Sequence, residues 1–202
     1  MTPKEYSPLA LRTAAGDYPA IKQRMSSFSS VDTLHAALGM SSEAGEVLEI
    51  VGFEAMADWP LETFQGVVAE LGDCCWFLNL ACSCGFADMS DFGGQTPEII
   101  DMSISQMILE DGCLKLCLYS STFCDMVKAH IFYGKELDHE LVRDVLSGYY
   151  DSVLLCCAAM CITVEEVLDK NIAKLQARYG DKFSESRAIT RDLVSEKEAY
   201  SK

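Results

Sequence analysis

Two stretches of this chain share one layout: "EIVGFEAMADWPLETFQGVVAELGDCCWFLNLACSCGF" from Glu49 and "DMVKAHIFYGKELDHELVRDVLSGYYDSVLLCCAAMCI" from Asp125. Each carries a helix end, a short polar link, and a second helix that becomes wholly apolar. An offset of about 76 residues separates them. A helical hairpin cannot bury so apolar a face by itself, whereas two hairpins packed together can. The expectation is therefore an all-α chain with a four-helix core made of two helical hairpins. On this reading the second hairpin is a degenerate duplicate of the first.

Helix punctuation supports this layout, and strand signals are nearly absent. Tyr6 to Ala14 reads as a short helix ending before Gly16 and Pro19. "SSFSSVD" then supplies cap residues for a helix from about Asp32 to Gly52, with Leu34, Leu38, Val47, Leu48 and Val51 near one face. Pro60 opens the next helix, and Gly85 closes it. "ADMSDFGGQTPE" is the clearest loop, with Pro97 in the first turn of a following helix, and the period stays helical to Tyr179.

Charge and cysteine content exclude several classes of function. With 31 acidic against 16 basic side chains, the net charge of -15 opposes binding to nucleic acid polymers or anionic membranes. The longest apolar runs, "CCWFLNLACSCGF" and "SVLLCCAAMCITV", are shorter than the roughly 20 residues that span a bilayer. Ten cysteines lie mostly in such runs, with no CxxC pair and no cysteine–histidine spacing suited to zinc. They read as reduced core residues. The start, "MTPKEYSPLALRTAAGDYP", has no signal-peptide architecture, so a reducing cytoplasm is expected.

The acids within the first hairpin carry chemistry. Residues three apart share a helix face, so Glu43 pairs with Glu46, and Glu70 with Asp73 on the next helix. Like charges facing one another across a hairpin destabilise it unless a cation lies between them. The second pair runs directly into "CCWFLNLAC", where a carboxylate at the edge of a core needs a partner. Two such pairs provide the oxygen-rich, partly hydrated surroundings that Mg²⁺ prefers. Glu49 is a spare member, placed to meet water or to support the others.

Three segments together, "HAALGMSSEAGEVLE", "AELGDCCWFLNLACSCGF" and "ITVEEVLDKNIAKLQARYGDKFSESRAITRD", resemble the MazG-like branch of the all-α nucleoside triphosphate pyrophosphohydrolases, especially short phage-type proteins. The hallmark of that superfamily is ExxE followed about twenty residues later by ExxD. Glu43, Glu46, Glu70 and Asp73 match it in order. The resemblance implies hydrolysis of a nucleoside triphosphate between the α and β phosphates, giving a monophosphate and pyrophosphate. It also implies Mg²⁺, with Mn²⁺ as a substitute, held by the four acids while one carboxylate accepts the proton of the attacking water. If the protein is phage-encoded, the compartment is the host cytoplasm.

The resemblance also implies an organisation for the whole chain. Residues 1–202 form one domain in which 30–85 is the working hairpin, 86–161 an inserted degenerate copy, and 162–202 the C-terminal helix and tail. In the copy, Tyr119 and Thr122 stand near the ExxE positions, and Val145 and Gly148 near ExxD. A lysine common after the family's ExxE is replaced by Gly52 in the first hairpin and present as Lys128 in the second. The expected arrangement is an intrachain pseudo-dimer with one metal site, to which the degenerate half lends Lys128 or packing surface. A further homodimer through the outer helices is compatible with this. Asn171, Lys174 and Arg178 share one helix face, match the family's "NxxKLxxR" pattern, and are expected to bind substrate.

Other candidates weigh less. "TVEE" at Thr163 to Glu166 reads as a capping box, so its glutamates are structural. Trp76 and Phe77 read as core aromatics, with stacking on a base as the alternative, and His35 lies near the start of the metal helix. Arg187 and Arg191 read as belonging to a solvated tail, the alternative being closure over a triphosphate. The competing function is a nucleotide-binding or protein-interaction module that keeps the fold without turnover.

Overall fold

A computed structural model describes residues 1–52, 55–93, 96–97, 104–180, 182–190 and 192–200. Among these residues the chain is all-α, with no strand. The α-helices among the described residues are α1 (Pro3–Leu11), α2 (Tyr18–Arg24), α3 (Phe28–Val51), α4 (Leu61–Ala81), α5 (Ser105–Tyr133), α6 (His139–Ala159), α7 (Val164–Tyr179), α8 (Glu185–Ile189) and α9 (Leu193–Tyr200).

Local chemistry places the ends of the long helices. Ser27 caps α3, its Oγ accepting the Ser30 N–H, and Pro60 precedes α4, fixing its entry without needing a donor. α4 runs into a π turn over Cys82–Phe86, where Gly85 takes a φ of 96° that only glycine adopts readily. Asp138 caps α6 by accepting the N–H groups of Glu140 and Leu141. The capping box expected at the start of α7 is present, with Thr163 and Glu166 bonded reciprocally.

α3 packs on α4 and α5 on α6, giving two hairpins that meet chiefly through α3 and α5 and also through α4 and α6. The α3–α5 contact is close because α3 presents Ala36, Ala37, Met40 and Ala44, all buried, toward the core. Cys124 donates from its Sγ to the Ala37 carbonyl at 2.9 Å and Cys117 to that of Ala44 at 3.6 Å. These pairings step in opposite directions along the two helices, so α3 and α5 run antiparallel. Between those two carbonyls, Met40 accepts from the hydroxyl of Tyr149, a fully buried ring on α6. That bond satisfies a polar group that burial would otherwise penalise.

Several expectations change. The first helix lies at Pro3–Leu11, with its own Thr2–Glu5 capping box, and a second helix stands where Gly16 and Pro19 suggested a break. Pro19 is tolerated because it falls in the first turn of α2, where its missing N–H is not required. Leu38 and Leu48 are 60% and 37% exposed while Val47 and Val51 are buried, because the buried stripe of α3 follows Ala37, Met40 and Ala44. The helix expected around Pro97 falls largely outside the described residues. Leu61–Phe86 is long and apolar enough to cross a membrane by length and composition, although each uninterrupted apolar run is shorter, and 56% of its most apolar window is buried within the protein.

All ten cysteines are thiols, and most are buried. Burial pushes the thiols of Cys82 and Cys157 up to about 12, which keeps them protonated and lets them pack as small hydrophobes.

Candidate metal and anion site

α3 and α4 bring the acids together in the lining of a cavity of about 730 Å³. Glu43, Glu46 and Glu70 each offer a carboxylate oxygen within 4.8 Å of the others. Glu43 and Glu70 are half-buried and Glu46 is exposed, so the cluster sits between core and solvent. Such convergence has an electrostatic cost that shows on Glu43. Burial, then the charges of Asp73, Glu46 and Glu70, push its carboxyl up to about 7 from an ordinary 4.5, while Lys174 opposes the rise. A divalent cation would offset this repulsion among carboxylates, so the donor set suits a hard, oxygen-binding metal such as Mg²⁺ or Mn²⁺.

Asp73 lines the same cavity but is held differently from the three glutamates. Its Oδ1 accepts from Asn171 Nδ2 at 2.8 Å, and its Oδ2 pairs with Lys174 Nζ at 2.6 Å. Lys174 is 3% exposed and donates also to the Ala69 carbonyl at 3.2 Å. Gly72 permits this docking of α7 on α4, since a Cβ there would lie 2.8 Å from that of Asn171. The tight cluster therefore contains three acids, and the fourth is anchored by residues expected to bind substrate. Asn171 and Lys174 are both buried, and neither lines the cavity.

Arg178 does line the cavity, and its Nη2 pairs with Glu196 of α9 at 2.5 Å. Its buried Nε–H has no hydrogen-bond partner, and the guanidinium carbon lies 5.6 Å from the Tyr179 ring centre. Lys128 is elsewhere: exposed on α5, it pairs with Asp125 one turn earlier and does not reach the cavity. Arg187 donates to the Tyr179 carbonyl at 2.8 Å, closing the C-terminal end of α7. Arg191 lies outside the described residues.

An aromatic wall and further residues complete the cavity. Trp76 and Phe77 meet edge to face with centroids 4.8 Å apart, and His35 packs edge-on against Phe77 at 5.3 Å. Trp76 is 38% exposed, so it belongs to the cavity rim as well as to the packing. Gln176, Tyr179, Lys182 and Phe183 also line the cavity, and sequence reasoning gave none of them a role by itself. The available signal was the basic and aromatic pair in "GDKF" just after the stop of α7 at Gly180.

In the second hairpin a ring packs against a glycine of the facing helix. A Cβ on Gly148 would come within 2.4 Å of Tyr119 Cζ, so the tyrosine on α5 lies directly against the glycine on α6. These are two of the residues expected from the sequence to stand near the ExxE and ExxD positions of the second hairpin. Compared with known proteins, the chain matches no protein family, no curated protein and no solved structure.

Proposed function

We propose that the protein is a Mg²⁺-dependent nucleoside triphosphate pyrophosphohydrolase of the MazG-like kind, built as an intrachain pseudo-dimer with one working site. The observation that carries this reading is the convergence of Glu43, Glu46 and Glu70 within 4.8 Å in the lining of a cavity. The ordered ExxE and ExxD motifs add the resemblance. Contact between Tyr119 and Gly148 accounts for a single site, since an aromatic ring takes the space that acids would occupy in the duplicate.

The three glutamates would hold the cation, which when bound neutralises phosphate charge and favours attack by water. Asp73, oriented by Asn171 and Lys174, supplies a fourth negative charge fixed in position. Arg178 and Lys182 place positive charge on the cavity wall for the phosphate oxygens. The aromatic wall leaves an apolar surface for the rest of the nucleotide. In the reaction, water oxygen bonds to the α-phosphorus, the bond to the bridging oxygen of the β-phosphate breaks, and one of the carboxylates takes the water proton.

A second reading is a nucleotide-binding module without turnover. It is favoured by the engagement of Lys174 and Arg178 with the protein's own carboxylates. Incubation with canonical and modified nucleoside triphosphates and Mg²⁺, with monophosphate and pyrophosphate measured, separates the two. The enzyme reading expects release that is lost in Glu46→Ala and Asp73→Ala. No release from any substrate would sink it, and binding without release would establish the module instead.

A further inference from the structure

α5 is apolar on two faces. Its inner face buries Leu109, Leu116, Phe123 and Val127 in the core, while Leu114 and Leu118, on the far side, are each 61% exposed. A helix that is apolar on both faces is normally covered on both. Single exposed leucines are common, but these two lie one turn apart and have uncharged neighbours on α3. There, Ser41 and Leu48 stand one turn beyond Ala37 and Ala44, whose carbonyls accept from α5. They therefore border the outer edge of the α3–α5 contact. Both are exposed, and so are Leu38 and Gly45. A Cβ on Gly45 would meet nothing within 4 Å, which leaves room for a neighbouring chain to come close to α3.

Charge decides what fits this face. The whole chain carries a net charge of -15, so two copies repel over most of their surface. Along α5 from residue 111 to residue 128 the charged side chains are Asp111, Lys115, Asp125 and Lys128, a stretch with no net charge. All four are between 44% and 69% exposed, and each lysine pairs with the acid one turn before it. One such bond uses only part of an ammonium's donor capacity. Their order is also antisymmetric, since reading the helix backwards exchanges every acid for a lysine. The pairs Asp111 with Lys128 and Lys115 with Asp125 are both centred at or beside Ser120. An antiparallel copy of α5, related by a two-fold axis at that level, sets Asp111 level with Lys128 of the second copy and Lys115 level with Asp125 of the second copy. The symmetry repeats both contacts. A parallel copy in register would instead bring like charges level.

We propose that the outer face of α5 and α3, centred on Leu114 and Leu118, is a homodimer interface in which two copies of this chain pack α5 antiparallel about a two-fold axis near Ser120. Burial of the leucines supplies the attraction, and the exchanged charges fix the register more than the affinity. The interface uses none of the cavity residues, so it stands or falls apart from the hydrolase reading.

The test is sedimentation equilibrium of the full chain over a concentration series at low salt, with circular dichroism melts to show that each variant is folded. A monomer–dimer equilibrium is expected, weakened about a hundredfold or more by Leu118→Glu. Lys115→Glu and Asp125→Lys should each weaken it about tenfold, because each sets like charges level twice across the axis. Mixing these two variants should give a dimer within about threefold of the unaltered affinity, since every altered side chain then faces its opposite. Recovery on mixing cannot come from within one chain, where Asp111 beside the altered position 115 stays repelled. A monomer at every concentration overturns the proposal and leaves this face to some other partner. A dimer that Leu118→Glu leaves intact overturns it as well. A mixture no tighter than the separate variants overturns the antiparallel register.

Discussion

Glu43 links pH, metal and stability through one carboxyl. Its folded-state value of about 7 lies above the 4.5 of an ordinary glutamate, because burial and three neighbouring acids disfavour its charge. Between pH 4.5 and 7 the folded chain therefore holds a proton that the unfolded chain has released. Stability from this group is greatest at the acid end of that window, declines as pH rises, and is lowest above 7. Glu43 is only about half-buried, so solvent screening reduces the full linkage energy by more than half, leaving ~1–1.5 kcal/mol. For a chain of this size that corresponds to a fall in Tm of about 3–5 °C between pH 5 and pH 8. Mg²⁺ requires the deprotonated carboxylate, so its apparent affinity should drop by up to about tenfold per pH unit below 7, and its stabilising effect should grow toward pH 8. Thermal melts at pH 5, 6, 7 and 8, with and without Mg²⁺, read this directly, with Glu43→Gln as the comparison. Mg²⁺ stabilisation that is the same at every pH, or that is equally large in Glu43→Gln, would refute the reasoning.

Three other perturbations address the packing around the site. Asp73→Asn removes the counter-charge of the buried Lys174 and is expected to cost about 2–4 kcal/mol in urea unfolding; an effect under about 0.5 kcal/mol would show that the ammonium finds another partner. Gly148→Ala forces a Cβ into the Tyr119 ring and should cost about 1–3 kcal/mol, with most of the loss recovered when Tyr119→Ala is added. Additive effects in that double variant would disprove the contact. Cys161 holds φ at 55° just past the end of α6, so Cys161→Gly should relieve backbone strain and raise stability by about 0.5–1 kcal/mol, as measured by the denaturation midpoint.

Much of the architecture was legible because it depends on short-range chemistry. The 3.6-residue period of apolar side chains, the caps in "SSFSSVD" and at Thr163 and the stops at Gly52 and Gly85 all act within a few residues of chain. They identify helices, and the repeated hairpin layout suggests their pairing. The same local rule places Glu43 with Glu46 and Glu70 with Asp73, since residues three apart share a face. It misplaced Leu38 and Leu48, which are apolar and in period yet exposed, because the boundary of a buried face is set by the neighbouring helix.

What each charged side chain is bonded to was decided only by tertiary structure. Asn171, Lys174 and Arg178 look equivalent as a stripe on α7, yet the first two reach across Gly72 to Asp73 while the third is drawn to Glu196. Lys128 resembles a candidate for the site by its place in the repeat, but α5 turns it toward Asp125 and solvent. Helix pattern is local in sequence, whereas an ion pair joins residues brought together by packing, across 101 positions for Asp73 and Lys174. The sequence alone determined which acids share a helix face. The packing of α7 and α9 decided that Asp73 is anchored by Asn171 and Lys174 beside the cluster of Glu43, Glu46 and Glu70, and that one arginine is held by the chain's own carboxylate.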